Sequence, residues 1–477
     1  MKILFAASEA VPFAKTGGLA DVIGSLPKEL IRQGLDVRVI MPKYGSIPAK
    51  YKEQMEAAVV FDVYVGWRKQ YIGVEMLELD GVTFYFVDNE YYFNRPGLYG
   101  YEDEAERFAF FCRGVIEALP KLDFQPDVIH CHDWQAGMIP VLLKAHYQHL
   151  DFFSQIKTMT TVHNLKYQGV FGQDLMRDLF GLSGDHFTGT ALELHGGASF
   201  LKGGLLYADR ITTVSQTYAE EIQTPYYGEF MDSLLRHRKD QLTGIVNGID
   251  YEIFNPMNDP HLVVQYRDSL SKKQQNKLAL QERLGLPVNG DVPMIALVTR
   301  LVQQKGLDLI QHVLSEILSL NIQLVVLGTG DDHYEQMFRH AAQMVPDKVS
   351  AQIYFDEALA HQIYAASDMF LMPSQFEPCG IGQLIALRYR TVPIVRETGG
   401  LKDTVQPYNE FIGEGTGFTF SNYNAHDMLH TIRRAVFFYA NDRDAWQKLI
   451  QNMKKCDFSW KKSAQQYVQL YKDMKRK

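Results

Sequence analysis

At roughly 150 residues per domain, a chain of 477 residues holds about two to four domains, which argues against a single core. Hydrophobic residues make up 46% and charged residues 22%, close to the globular average, which excludes disordered, collagen-like and coiled-coil classes. A net charge of −8 argues against a dedicated nucleic-acid binder, and four scattered cysteines (Cys112, Cys131, Cys379, Cys456) without a CxxC argue against a disulfide framework or a zinc site.

Residues 2–7 read as a buried strand that begins almost at once, with no signal-peptide h-region or transit composition ahead of it. The longest uncharged run, residues 317–330, is too short and too polar to span a bilayer, so a cytoplasmic protein with no membrane partner is expected. A helix over 19–34 and a strand over 36–41 follow, then β-branched strands over 127–131, 158–162 and 210–214. Residues 247–260, rich in Asn, Asp, Gly and Pro, suit a hinge, and a polar helix over 271–284 comes next.

A second series of the same kind has strands over 294–299, 323–328, 351–355, 368–373 and 392–396. Its helices cover 307–318, 334–344, 358–366, 380–389 and 400–405, and three more close the chain over 425–441, 444–455 and 460–475. Strand–helix alternation of this kind predicts an α/β protein with two Rossmann-like doubly wound parallel-sheet domains. The expected division is 1–247 and 248–455, facing across a cleft, with 456–477 packing back on the N-terminal domain. Ligands of such sheets bind beyond the carboxyl ends of the strands.

The candidate site residues fall at those ends. Lys15-Thr16-Gly17-Gly18-Leu19 lies between the first strand and first helix, where glycines let a backbone approach an anion at a helix N-terminus. Alone it favours a tight turn whose glycines serve only geometry, and it is neither a Walker A nor a GxGxxG sequence. Arg300 and Lys305 follow the strand over 294–299 as two cations suited to a diphosphate, or else to solvent. Glu377-Pro378-Cys379-Gly380-Ile381-Gly382 opens a helix, so its carboxylate can accept sugar hydroxyls and its amides can meet anionic oxygen.

Asp133 and the pair His163-Asn164 end neighbouring strands, where polar groups converge on one sheet edge. His130, His132 and His163 come without an HExxH or a carboxylate pair, so no metal is expected. Thr398-Gly399-Gly400-Leu401 repeats the Thr-Gly-Gly-Leu of the first loop.

Taken together these motifs resemble the bacterial glycogen synthase and plant starch synthase family, glycosyltransferases of GT-B fold. The likeness extends over nearly the whole chain. It includes His132-Asp133-Trp134, Phe200-Leu201-Lys202, Asn247-Gly248-Ile249-Asp250, Gln304-Lys305-Gly306-Leu307-Asp308 and Asp457-Phe458-Ser459-Trp460. The resemblance implies retaining transfer of glucose from ADP-glucose to the non-reducing end of an α-1,4-glucan in glycogen biosynthesis. It implies no cofactor, since the nucleotide sugar is a substrate.

By that likeness Lys15, Gly17 and Gly18 meet the diphosphate from the N-terminal side, and Arg300 and Lys305 hold it from the C-terminal side. Glu377 and the turn Cys379–Gly382 bind glucose hydroxyls, Thr398, Gly399 and Gly400 line the pyrophosphate, and Asp133, His163 and Asn164 line the sugar side. Phe355, after the strand over 351–354, takes the place of the family's aromatic adenine platform. Ile381-Gly382 replaces the usual Leu-Thr, and Arg390 stands where Gly is typical. Two alternatives remain open at the level of sequence: a GT-B hexosyltransferase using a UDP-sugar, and a degenerate glucan-binding or regulatory paralogue.

Overall fold

The computed structural model describes residues 1–476; Lys477, the last residue of the expected 456–477 segment, lies outside the described residues. The chain divides into two compact units, Met1–Asn247 with the C-terminal helix Trp460–Arg476, and Gly248–Ser459. No helix is long and apolar enough to cross a membrane among the described residues.

The N-terminal unit is built on a nine-stranded sheet. Its order is Leu242–Gly244, Arg210–Thr213, Lys157–Val162, Val128–His132, Lys2–Ala6, Asp36–Pro42, Val82–Asp88, Arg68–Leu79, Glu56–Val65. The first seven pair in parallel. Ile3, Leu4, Phe5 and Ala6 are wholly buried, as expected of a central parallel strand covered on both faces. Lys2–Ala6 lies between Asp36–Pro42 and Val128–His132, so the order reverses there and the loops after residues 6 and 132 flank the switch point.

The far edge is an antiparallel meander, Glu56–Val65, Arg68–Leu79 and Val82–Asp88, which the search for βαβ alternation did not foresee. Its signals are local: Glu56–Val65 alternates exposed and inward residues toward its end. Asp80 (φ 53°) and Gly81 (φ 78°) form the two-residue left-handed turn that twisted hairpins favour.

The C-terminal helix shows why a chain end joins the first unit. Trp460, Ala464, Tyr467, Tyr471 and Met474 recur every three or four residues, and all are buried in the same core as the first sheet. Ser463 Oγ donates to the Val246 carbonyl (2.6 Å), Tyr471 Oη meets His130 Nδ1 (2.7 Å), and Lys475 Nζ pairs with Asp127 (2.7 Å). Ser459, just before this helix, instead bridges Ile249 in the second unit.

The second unit carries a six-stranded, wholly parallel sheet ordered Val349–Gln352, Gln323–Leu327, Met294–Val298, Met369–Met372, Val392–Arg396, Phe418–Phe420. Counted along this unit the order is 3-2-1-4-5-6, the doubly wound arrangement, with its switch point between Met294–Val298 and Met369–Met372. Two expected boundaries shift. The strand expected over 351–355 ends at Gln352, opposite Leu327, where the ladder stops. The helix expected from 380 begins at Gly382, because Gly380 takes φ 76°.

Candidate active site

In the N-terminal unit the candidate side chains follow three adjacent strands. After Lys2–Ala6 the chain passes Glu9, a carboxylate only 4% exposed, before reaching the Lys15–Gly18 loop. Glu9 accepts from the Thr16 amide (2.5 Å), the Thr16 hydroxyl (2.6 Å) and the Gly17 amide (3.4 Å), and Tyr99 Oη donates to it (2.7 Å). The loop is therefore tied down before any ligand arrives. Gly17 caps helix Gly18–Arg32 without a side-chain hydrogen bond, and a Cβ there would meet open space. A helix start without a side-chain cap, faced by open volume, favours an anion. Lys15 Nζ pairs with Asp21 at 2.7 Å, but both are partly exposed, and such pairs contribute only about 0.2–1 kcal/mol, so the ammonium is easily released to a phosphate.

Asp133 follows strand Val128–His132 at φ 58°, ψ −169°, a region that costs a non-glycine residue about 1–3 kcal/mol. The strain turns its carboxylate so that Oδ1 accepts the backbone N–H of His163 (2.7 Å). Burial pushes the Asp133 carboxyl up to about 7, against the opposing pull of that N–H, and the nearby Glu9 charge adds to the rise. His163, at the end of Lys157–Val162, is pushed down to about 3 by burial, so its imidazole is neutral at physiological pH. Asn164 caps its own turn, accepting from the Lys166 amide (3.1 Å).

The second unit gathers its residues at its own switch point. Lys305 grips the Glu377 carboxylate with Nζ at 2.9 and 2.7 Å from its two oxygens, and Ser374 Oγ donates to Oε2 (2.9 Å). Glu377 is 5% exposed, so a cation is required to hold its charge there. Arg300 is exposed and makes no ion pair among the described residues. Lys305 is placed by Gly306 (φ 78°), whose Cβ position would lie 2.0 Å from the Pro373 carbonyl, so only glycine lets the two loops touch.

The Thr398-Gly399-Gly400 turn serves this loop directly. The Gly400 amide donates to the Glu377 and Pro378 carbonyls (3.1 and 3.2 Å). A Cβ on Gly399 would sit 1.9 Å from the Glu377 carbonyl oxygen, and one on Gly400 2.0 Å from that of Cys379. The two glycines thus hold the Glu377 loop, and the amide expected to meet a pyrophosphate is spent on that loop at Gly400. Cys379 is buried, and its carbonyl takes the Gln383 amide (2.9 Å). Phe355 is 82% exposed in the loop beyond Gln352.

Both departures noted in the sequence have local compensation. Arg390 adopts φ 61°, which explains the glycine usual there, and its guanidinium is tied to Asp268 (3.1 Å) and the Leu387 carbonyl (2.8 Å). At Gly382 a Cβ would approach the Phe370 ring to 2.9 Å, so the aromatic side chain fills the space a larger residue would take. Glu9, Tyr99 and Ser374 hold the candidate loops by hydrogen bonds that the motifs alone do not disclose. The available signal was a carboxylate seven residues before Thr16 and a serine three before Glu377. Among the described residues no group of three or more His, Cys, Asp or Glu stands together as a metal site.

Residues 2–237 match the family described as starch synthase catalytic domain, and residues 281–455 match glycosyl transferases group 1. The chain is 57% identical over 475 residues to the glycogen synthase of Desulforamulus reducens, covering 99% of both chains. It is 57% identical over 473 residues to that of Clostridium acetobutylicum, again 99% of both. The catalytic domain of starch synthase IV from Arabidopsis thaliana, bound to ADP and acarbose, superposes with a TM-score of 0.92 at 33% identity, covering 100% of this chain and 99% of that one. On these likenesses, and with cations and a buried glutamate at the switch point of a doubly wound sheet, the chain belongs to the glycogen and starch synthase family of GT-B glycosyltransferases.

Proposed function

We propose that this chain transfers glucose from ADP-glucose to the non-reducing end of an α-1,4-glucan with retention at the anomeric carbon. The observation that carries the reading is the Lys305–Glu377 pair beside Arg300 at the switch point of the second sheet, in a chain whose relatives are glycogen synthases. The Arabidopsis relative was solved with ADP and acarbose, which supports ADP as the leaving group and an α-glucan as the acceptor.

In this reading charge develops on the diphosphate as the glycosidic bond breaks, and Arg300 and Lys305 neutralise it. Within the N-terminal unit, Lys15 and the helix start at Gly18 are suited to an anionic group. The acceptor hydroxyl oxygen forms the new bond to C1, the bond from C1 to the phosphate oxygen breaks, and the hydroxyl proton passes to the departing phosphate. Glu377, oriented by Lys305 and Ser374, accepts glucose hydroxyls through its remaining lone pairs. The turn Cys379–Gly382 lies beside it, Phe355 offers adenine an exposed ring, and His163 and Asp133 line the sugar.

The test is to incubate purified protein with labelled ADP-glucose and glycogen, then digest the product with an α-1,4-specific exohydrolase. Label set free by that enzyme was held in an α-1,4 bond and supports retaining transfer. Absence of label from either ADP-glucose or UDP-glucose, with glucan binding intact, would sink the reading in favour of a non-catalytic glucan binder.

A further inference from the structure

Three histidines lie behind the strained Asp133 turn. His130 and His132 alternate along Val128–His132, are both fully buried, and have ring centroids 4.1 Å apart. His163 follows the neighbouring strand, its ring 5.2 Å from that of His132. Both ring nitrogens of His130 are engaged, Nδ1 with Tyr471 Oη (2.7 Å) and Nε2 with the Thr161 hydroxyl (2.5 Å). His132 differs. Its Nδ1 lies 2.9 Å from His163 Nε2, while its own Nε2 is buried and has no hydrogen-bond partner among the described residues.

A neutral imidazole carries one proton, on one nitrogen or the other. Burial drives both His132 and His163 toward the neutral form, so one proton sits between them and the two rings share two tautomeric arrangements. In the first, His163 Nε2–H donates and His132 Nδ1 accepts. The His132 proton is then on Nε2, a buried N–H with no acceptor, and orphaned buried N–H groups are rare because they forfeit about 1–3 kcal/mol. In the second, His132 Nδ1–H donates and His163 Nε2 accepts. The unpartnered His132 Nε2 is then a bare lone pair, which needs no acceptor, in a ring packed near that of Phe5 (centroids 5.0 Å).

We propose that His132 is a positioning residue: it donates its Nδ1–H to His163 Nε2 and so fixes His163 as the Nδ1–H tautomer. The donor left on His163 makes no hydrogen bond within the chain among the described residues, and it is the group His163 offers to a sugar oxygen. This role rests on the glucosyl-transfer reading, but the tautomer itself does not. The ring of His163 is thereby oriented from behind, as its backbone is oriented by Asp133 (2.7 Å).

The experiment uses the full chain labelled with ¹⁵N-imidazole histidine, His163 being assigned by its loss in His163→Gln. Long-range ¹H–¹⁵N spectra of the unliganded protein are expected to show His163 protonated at Nδ1 and His132 also protonated at Nδ1. Finding the proton of His163 on Nε2 would overturn the proposal whatever the enzyme's turnover, so a failed transfer assay and a failed tautomer assignment are distinguishable. In parallel, His132→Leu removes the donor, while His132→Asn supplies an amide N–H near the Nδ1 position. The Leu variant is expected to lose about 10- to 100-fold in kcat with KM for glycogen unchanged, as removal of an orienting partner does elsewhere, and the Asn variant to recover most of that loss. Equal kcat in Leu and wild type, both folded by circular dichroism, would likewise overturn it.

Discussion

Replacing Asp133 by Asn isolates the cost of keeping a carboxylate in the strained turn after strand Val128–His132. Its folded value, about 7, lies above the ordinary 3.8 because burial outweighs the His163 N–H. The folded protein therefore holds the proton more tightly than the unfolded chain does. The associated stability is fully present below about pH 4 and is lost as pH rises through about 7. At 1.36 kcal/mol per pKa unit the full separation is about 4 kcal/mol, and partial solvent access at this half-buried residue lowers that to about 2 kcal/mol. Asn keeps the acceptor for His163 N–H but carries no charge. Chemical denaturation at pH 8 and at pH 4 should therefore find Asp133→Asn more stable than wild type by about 2 kcal/mol at pH 8, with the difference shrinking toward pH 4. A pH-independent difference, or a wild type more stable than the variant at pH 8, would refute the claim that Asp133 is held in an unfavourable ionised state.

The remaining predictions concern the loops. Lys305→Ala and Glu377→Ala are each expected to lower kcat by about 100-fold or more in a labelled-glucose assay, and near-normal turnover would remove the pair from the machinery. Glu9→Gln weakens the hold on Thr16 and Gly17, so KM for the donor should rise several-fold more than kcat falls; unchanged KM would show the loop needs no such anchor. Gly382→Thr should cost about 1–3 kcal/mol of stability by overpacking against Phe370, and Phe370→Leu in the same chain should recover it. A stable single variant would show that the Phe370 ring yields.

Much of the architecture follows from local pattern. Apolar runs such as Ile3–Ala6 need two covered faces, and the helices between them supply the cover. Asp133, His163 and Arg300 are legible as candidates because each stands one or two residues past a strand's end, while Lys15, Lys305 and Glu377 lie further along the loops that follow strands. What sequence did not reveal depends on partners far along the chain. Glu9 looks like any loop carboxylate until Tyr99, ninety residues later, donates to it. His132 reads as a polar strand end, and only His163, thirty-one residues on, gives its Nδ1 a purpose. Gly399 and Gly400 look like ligand-binding amides, yet their missing Cβ atoms make room for the carbonyls of Glu377 and Cys379. The meander breaks the strand–helix alternation, and its local mark is the Asp80-Gly81 turn.

A donor competition bears most directly on the central claim. Purified protein receives glycogen with equimolar ADP-glucose and UDP-glucose carrying different isotopes, and the label entering the polymer is counted. The account predicts that glucose from ADP-glucose dominates, and that Lys305→Ala lowers the incorporation by about 100-fold or more. Dominant incorporation from UDP-glucose, or none from either donor by a folded protein, would contradict it.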